Sequence, residues 1–498
     1  MSESTPTSAA PESVSGVELM RGVGTRRAKP FWPDAWDRTV ARLGAQLGLA
    51  WIGIVAVLAI LAPLIASGLP LWSTELTPAG AVMRSWSPLW AHLTAIDLLL
   101  LVGGICGPIF VFAMRVRTRA FRLGLLCAAA VQAGATAVLV RGAAAWCQAT
   151  DAPSWARESQ LESWFPWAAS GVLATIAAAA CLLMPTFSRV RQRGVFVAVV
   201  AACAILPCAS RWTEGVPVYD RYIEAEAAGT MRNTWTLIPW SPDQGRTDTY
   251  LVAPGKRVGD VSHDELGPAG ERTFMLGSDA VGQDVLSQMI HACRLSLSIG
   301  FVSTGISILI GVTLGAIMGY FGGTVDMLLY RVVEIFMAIP VLFLLIVASA
   351  VLPRNTYVMM AIIGLFSWTS AARFIRAEFM KLRGQDFVQA ARAVGLPLSS
   401  VLFRHMLPNG VTPVLVQASF AIAAAILAEA TLSFLGLGPI GQASWGKLLS
   451  SATGQTGTFV WWLAVFPGAA IFLTVLAYNL LGEAMRDAID PKLRKAAH

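Results

Sequence analysis

An all-α polytopic membrane protein is the fold class this sequence predicts, and three observations predict it. Of its 498 residues, 55% are hydrophobic and only 13% charged, and the mean hydropathy is +0.62. A soluble chain of this length needs far more charge to cover its surface. The apolar residues gather in blocks about as long as the ~20 residues a helix needs to cross a bilayer core. The net charge of +7 comes largely from arginines in short loops between those blocks. That arrangement follows the positive-inside rule and implies a membrane-lipid environment with no nucleic-acid partner.

About ten membrane helices are predicted on length and composition. They lie near 49–67, 96–114, 123–140, 166–184, 195–210, 297–319, 333–352, 357–372, 411–435 and 461–481. Ahead of them runs a polar, Pro/Ser-rich tail that turns basic at Arg21, Arg26, Arg27 and Lys29. The block from Leu49 to Ser67 is too long for the apolar part of a signal peptide and lacks a convincing cleavage site, so it reads as a retained span. Phe31 to Gln46, with Trp32 and Trp36, suits either an amphipathic helix along the inner interface or a disordered tail.

The loops set the orientation. Arg115, Arg117, Arg119 and Arg122 crowd one turn and Arg189, Arg191 and Arg193 another. Arg373, Arg376, Lys381, Arg383, Arg392 and Arg404 occupy the stretch between the eighth and ninth spans. A cytoplasmic N-terminus puts every cluster inside, together with Lys492, Arg494 and Lys495 at the C-terminus. Trp72, Trp86, Trp90, Trp146, Trp164, Trp167 and Trp212 fall on the other side, where an indole suits either the lipid interface or packing in outer loops. The outer segment 211–288, rich in Pro, Gly, Asp and Thr, is expected to be a mixed, folded or clamped extracytoplasmic element with strand-like pieces such as Thr249 to Val252.

Little here points to bond-making chemistry. The seven cysteines have no metal or disulfide spacing. Cys106, Cys127, Cys181, Cys203 and Cys208 sit in apolar blocks as small hydrophobes, and nothing in their spacing argues for pairing Cys147 with Cys293. The five histidines are scattered, and no nucleophile has a base nearby, so no catalytic or metal-binding residue is assigned. Gly436-Leu-Gly438-Pro-Ile-Gly441 fits a dinucleotide fingerprint but follows a helical run, not a strand. Gly441 to Lys447 resembles a phosphate-binding loop, but Leu448 stands where Ser or Thr must ligate magnesium. Glycines there end a helix and turn the chain back.

The informative stretch is Asp386-Phe387-Val-Gln389-Ala390-Ala391-Arg392-Ala393-Val-Gly395-Leu-Pro397. Asp386 suits an N-cap, and Gln389 can complete a capping box. The alanines favour helix, Gly395 suits the left-handed C′ position, and Pro397 forbids continuation. A two-turn helix, capped at both ends, is predicted outside the membrane between two spans, with small side chains that let another protein approach.

Gln389-Ala390-Ala391, Gly395 and Leu407-Pro408 resemble the coupling-loop signature of ABC importer permeases, which begins Glu-Ala-Ala. The run from Phe387 to Gly395, with Phe403-Arg-His405-Met-Leu-Pro408-Asn409, is similar to the dipeptide/oligopeptide/nickel branch. So are Leu276-Gly277-Ser278-Asp279 with Gly282-Gln283-Asp284, Gly319-Tyr-Phe-Gly-Gly323, Ala338-Ile-Pro340, Leu432-Ser433-Phe-Leu-Gly-Leu-Gly438, Ser444-Trp-Gly446 and Asp487-Ala-Ile-Asp-Pro491. Of the two permeases such transporters pair, the chain looks like the C-type subunit. It departs from the pattern at Gln389 for Glu, Gln283 for Arg and Ser278 for Thr, and in having four extra spans after the first.

The resemblance implies a cytoplasmic tail over 1–47, a first core span over 48–68, an insertion over 69–210, an extracytoplasmic segment over 211–288, a permease core over 289–485 with its coupling loop at 373–409, and a cytoplasmic tail over 486–498. It implies no cofactor in this chain, since ATP and magnesium would bind partner ATPase subunits. The implied partners are a second permease in a heterodimer, two cytoplasmic ATPases and an extracytoplasmic substrate-binding protein. Asp386, Phe387, Gln389, Ala390, Ala391, Arg392, Gly395, His405 and Pro408 would couple to the ATPase. Gly277, Ser278, Asp279, Gly282 and Asp284 form the outer motif.

Glu334 and Glu429 fall inside apolar blocks, where a carboxylate costs several kcal/mol unless paired or facing water. Glu429, with Ser433, suits either the translocation path or a hydrogen bond between helices, and Glu334 has Arg331 beside it. A proton-coupled carrier would need acid relays and two similar halves, and the halves here differ. No residue selects the solute.

Overall fold

The computed structural model describes residues 31–78, 81–112, 168, 171, 172, 175, 218–261, 270–410, 412–453 and 459–489. The uncharged run Leu43–Ile65 forms a membrane-length helix (α2) behind a short helix Phe31–Val40 (α1). Of the two readings for residues 31–46, helix is the one found. Strands β1 (Trp72–Leu76) and β2 (Val82–Trp86), a short α3 (Pro88–His92) and the apolar α4 (Ala95–Phe112) follow. The predicted spans 123–140 and 195–210, nearly all of 166–184, and the arginine clusters at 115–122 and 189–193 lie outside the described residues.

Beyond them come α5 (Asp220–Ala227), β3 (Met231–Thr234), β4 (Lys256–Arg257) and β5 (Thr273–Phe274). β1 sits between β2 and β3 in an antiparallel sheet, with Ser73 opposite both Trp86 and Asn233. The chain before α4 and the chain after α5 therefore build one element. Its core joins the end of α2 to the loops: Ala62 and Ala66 pack with Ile238, Trp240, Val252 and Phe274. Trp240 stacks on Phe274 at 5.1 Å, and the Arg272 guanidinium lies 4.0 Å from the Trp235 ring centre.

The strand expected at Thr249 to Val252 is absent. Thr247–Thr249 is a 3₁₀ turn, and Leu251 has a φ of 49°. This backbone is engaged by the next loop instead of a strand: Leu251 N donates to Asp279 O at 3.1 Å and Val252 N to Ser278 Oγ at 2.7 Å.

The central element is α6 (Val285–Phe321), 37 residues long and about 55 Å at 1.5 Å per residue. It begins twelve residues before the predicted span at 297. Apolar counting stops at Gln288, His291 and Arg294, but these polar groups meet protein partners. Gln288 donates to Asp279 at 2.8 Å, His291 Nε2 lies 2.9 Å from Ala66 O, and Arg294 pairs with Asp97 at 2.5 Å.

The remaining helices are α7 (Gly323–Ala338), α8 (Val341–Val351), α9 (Thr356–Phe366), α10 (Thr369–Leu382), α11 (Asp386–Ala393), α12 (Thr412–Phe434), α13 (Trp445–Ser451) and α14 (Trp461–Ile489). The predicted span 333–352 is two helices, α7 and α8, bent by 80° at Ile339-Pro340, where proline supplies no N–H and its ring blocks continuation. The span predicted at 357–372 is likewise broken, with α9 and α10 bent by 41°. Among the described residues four helices are long and apolar enough to cross a membrane, or six if each bent pair is one span.

Two of the packings between helices place the surfaces described below. Near the sheet, Val55 and Ala59 of α2, Ala292 and Cys293 of α6, Ile422 and Ile426 of α12 and Ile471 of α14 share one core. At the other end α6 lies close against α10. A Cβ added at Gly311, Gly315 or Gly319 would stand 2.7, 2.5 or 2.6 Å from the carbonyl oxygens of Trp368, Ala372 and Arg376. Small residues at this four-residue spacing let two membrane helices touch backbone to backbone. Arg376 of α10 grips both Asp326 oxygens of α7, at 2.5 and 2.7 Å.

Candidate coupling surface and translocation elements

Helix α11 starts one residue earlier than a cap at Asp386 allows. Its N-cap is Gln385, extended at ψ 148°, and no side chain caps the helix. Val388 N and Gln389 N both donate to Gln385 O, at 3.0 and 3.1 Å. Asp386 is thus the first helical residue, where its charge still favours the positive end of the helix dipole. Nor does Gln389 close a capping box. Its Nε2 donates to the carbonyl of Arg383 at 3.0 Å, stapling α11 to the end of α10. A glutamate at this position cannot donate that bond.

The other end follows the sequence expectation. Gly395 has a φ of 78°. Gly395 N donates to Arg392 O at 3.0 Å and Leu396 N to Ala391 O at 3.2 Å, the paired bonds of a left-handed helix stop.

The helix has two faces. Val388 and Ala391 are buried, packed with Ile375, Phe379 and Leu382 of α10 and with Val401, Leu402 and Met406 of the π-helical turn Ser400–Met406. Ala391, grouped by motif with Ala390, therefore faces inward. Asp386, Phe387, Gln389, Ala390, Arg392 and Gly395 are exposed. The coupling residues selected from the motif runs leave out the apolar rim around them: Val394 is 79% exposed and Phe403 50%. The available signal was large apolar residues flanking a helix-stop glycine on a polar segment. His405 is half-buried and accepts at its carbonyl from Asn409 Nδ2 at 2.8 Å, while Pro408 is exposed.

At the sheet end, the motif from Gly277 to Asp284 forms the lid of α6. Ser278 is wholly buried and its hydroxyl is fully used, donating to Thr249 O at 2.6 Å and accepting from Val252 N at 2.7 Å. Asp279 accepts from Val281 N and Gln283 N, both at 2.9 Å, and from Gln288. Asp284 caps α6 by accepting from Ser287 N at 2.7 Å. Gly282, at φ 75°, passes so near Arg246 O that any Cβ would overlap it. Burial pushes the Asp284 carboxyl up to about 7, against the bond from Ser287 and with help from the Asp279 charge. These contacts are internal to the lid.

Glu429 is fully buried on α12. Its Oε1 accepts from Ser433 Oγ and Ser444 Oγ, both at 2.7 Å, and Oε2 has no partner among the described residues. Ser444 also accepts from Gly446 N at 3.1 Å, so one carboxylate ties α12 to the start of α13. The bond between helices that the sequence allowed for Glu429 is present. Glu334 pairs with Arg331 at 2.5 Å on an exposed face of α7. The glycine run that mimics nucleotide loops follows helix α12, with Gly436 and Gly441 at positive φ.

These features define a polytopic, helix-built membrane protein with a capped helix on one face and a sheet-bearing lid on the other. Residues 311–495 match the family described as binding-protein-dependent transport system inner membrane component. The dipeptide transport system permease protein DppC of Alkalihalophilus pseudofirmus is 37% identical over 229 residues, 46% of this chain and 74% of that protein. The di/tripeptide transport system permease protein DppC of Pseudomonas aeruginosa is 37% identical over 267 residues, covering 52% and 83%. The glutathione transport system permease protein GsiD of Pectobacterium atrosepticum is 35% identical over 235 residues, covering 47% and 77%. The chain belongs to this permease family, in its dipeptide/oligopeptide branch and among the C-type subunits. It is a multi-pass inner-membrane transport subunit.

Proposed function

We propose that this chain forms half of the translocation path of an ATP-driven importer of peptides or similar small solutes. A second permease completes the path as a heterodimer, two ATPases bind ATP and magnesium on the cytoplasmic side, and a binding protein delivers solute to the sheet-bearing lid. Both termini and α11 face the cytoplasm. The stretch 69–210 is an insertion into a core made of 48–68 and 289–485.

One observation carries this reading: α11 has one side buried against the turn Ser400–Met406, in a core shared with α10 and α6, and the other open, with Phe387, Ala390 and Val394 beside the polar Asp386, Gln389 and Arg392. ATP-driven closure of the motor subunits pushes the open side, and the sealed side hands the movement to the bundle. Asp386, Phe387, Gln389, Ala390, Arg392, Gly395, His405 and Pro408 frame the docking face, and Ala391 anchors it from beneath.

The test is uptake and ATP hydrolysis measured together in the reconstituted transporter. Ala390→Trp adds bulk to the open face without touching the buried one. It is expected to leave insertion intact and to abolish uptake while hydrolysis continues or loses its link to solute. Gly395→Val, strained by about 1–2 kcal/mol in the left-handed region, is expected to uncouple likewise. Wild-type uptake by the Trp variant sinks the coupling role.

A further inference from the structure

A cavity of about 550 Å³, mostly apolar with a few charged groups on its walls, opens in the sheet-side half of the bundle, between α4, α6, α9, the loop at Pro242-Asp243 and the turn at Gly441–Ala443. Its size falls within the ~300–1,000 Å³ of small-molecule sites. It is separate from the coupling face, the lid motif and Glu429. One wall is α4, which lies in the predicted insertion. The charged or basic side chains on its walls are two carboxylates, Asp97 and Asp243, the imidazole of His291 and one guanidinium, Arg294.

The Asp97–Arg294 pair has an uneven hydrogen-bond count. Arg294 Nη1 lies 2.5 Å from Asp97 Oδ1, while Arg294 Nη2 is buried with no partner among the described residues. Half of a guanidinium fork that matches a carboxylate two-for-two is thus unused. Asp97, in contrast, is held independently of Arg294. Its Oδ2 accepts from Thr94 N at 2.9 Å and from Thr94 Oγ1 at 2.8 Å, at the start of α4. Losing Arg294 would leave Asp97 still bonded, and Arg294 is held by Asp97 through Nη1 alone, so an incoming carboxylate has one contact to displace.

We infer that this cavity binds a small zwitterionic solute, whose carboxylate takes Arg294 from Asp97 while Asp97 and Asp243 face its ammonium group. The inference rests on the reading of the chain as an importer subunit for peptides or similar solutes, and it gives the inserted α4 a part in the solute path. Asp97 is the stand-in that keeps Arg294 occupied until solute arrives.

The test uses the transporter assembled with its partner subunits in proteoliposomes. Tyr357, at the cavity wall and 54% exposed, is replaced by the photoreactive p-benzoylphenylalanine, and radiolabelled trialanine is the probe. Without binding protein, illumination is expected to capture trialanine. Unlabelled trialanine competes, and its C-terminal amide does not. Arg294→Gln lowers capture by about tenfold or more through loss of the charged fork. The double variant Asp97→Arg with Arg294→Asp preserves the bridge between α4 and α6 but reverses it, and is expected to assemble and capture no trialanine. Competition by the amide, full capture by the reversed pair, or no capture by the parent overturns the site. Uptake of trialanine with binding protein added is followed in parallel. Uptake without capture removes the site alone, and capture without uptake removes the peptide-importer reading alone.

Discussion

Asp284 holds the first turn of α6 while buried beside Asp279, and that position has a pH signature. Its carboxyl, 3.8 in the unfolded chain, is pushed up to about 7 by burial. The folded protein therefore holds a proton between about pH 4 and pH 7 that the unfolded chain has lost, and stability falls as pH rises through that window. Asp284→Asn keeps an oxygen to accept from Ser287 but never ionises. Melting in detergent is expected to show the variant gaining on the parent at pH 8 compared with pH 5, and an equal offset at both pH values contradicts this. For Glu429 the informative pair is Gln and Ala. Glu429→Gln keeps an acceptor for both serines and is expected to transport at the parent rate. Glu429→Ala orphans two buried hydroxyls, at about 1–3 kcal/mol each. Collapse of uptake in the Gln variant at unchanged melting temperature moves the carboxylate onto the transport path.

At the scale of elements, the α6–α10 contact is set by three glycines at 311, 315 and 319. Gly315→Ala inserts a methyl 2.5 Å from the Ala372 carbonyl, an overpacking expected to cost about 1–3 kcal/mol. Gly315→Leu is expected to prevent assembly, read as loss of monodisperse protein after extraction. Parent-like melting of the Ala variant would mean the helices slide apart freely. This level was only partly legible in the sequence. Gly395 and Pro397 announced the end of α11 because a left-handed stop has few chemical solutions. The start was misplaced because Asp386 suits both a cap and a first turn, and only backbone geometry separates them. Apolar blocks located α2, α12 and α14, but could not find the break at Pro340 or the polar first turns of α6. Those turns are solvated by protein, and a hydropathy window does not see a partner. The Asp97–Arg294 pair, far apart in sequence, left no local signal.

For the molecule as a whole, the sidedness of α11 decides the scheme. In intact cells, Ala390→Cys is expected to resist a membrane-impermeant maleimide until the cytoplasmic face is opened. Labelling from outside reverses the whole assignment of faces. The segment 211–288 was foreseen as folded or clamped, with strand-like pieces, but not as part of a sheet with residues 72–86. The strands of that sheet come from either side of a long intervening stretch, and pairing at such separation is not written in the periodicity of any one of them.

One helix, α6, meets both ends of this arrangement. Asp284 and Ser287 tie its first turn to the lid, and Val312 and Ala316 lie in the same core as Val388 of α11. A single rod thus runs between the two surfaces. If nucleotide below alters how tightly a delivery protein sits above, thermodynamic reciprocity requires the docked protein to alter nucleotide affinity by the same factor. The importer would then sense its cargo before moving it, with no separate sensor.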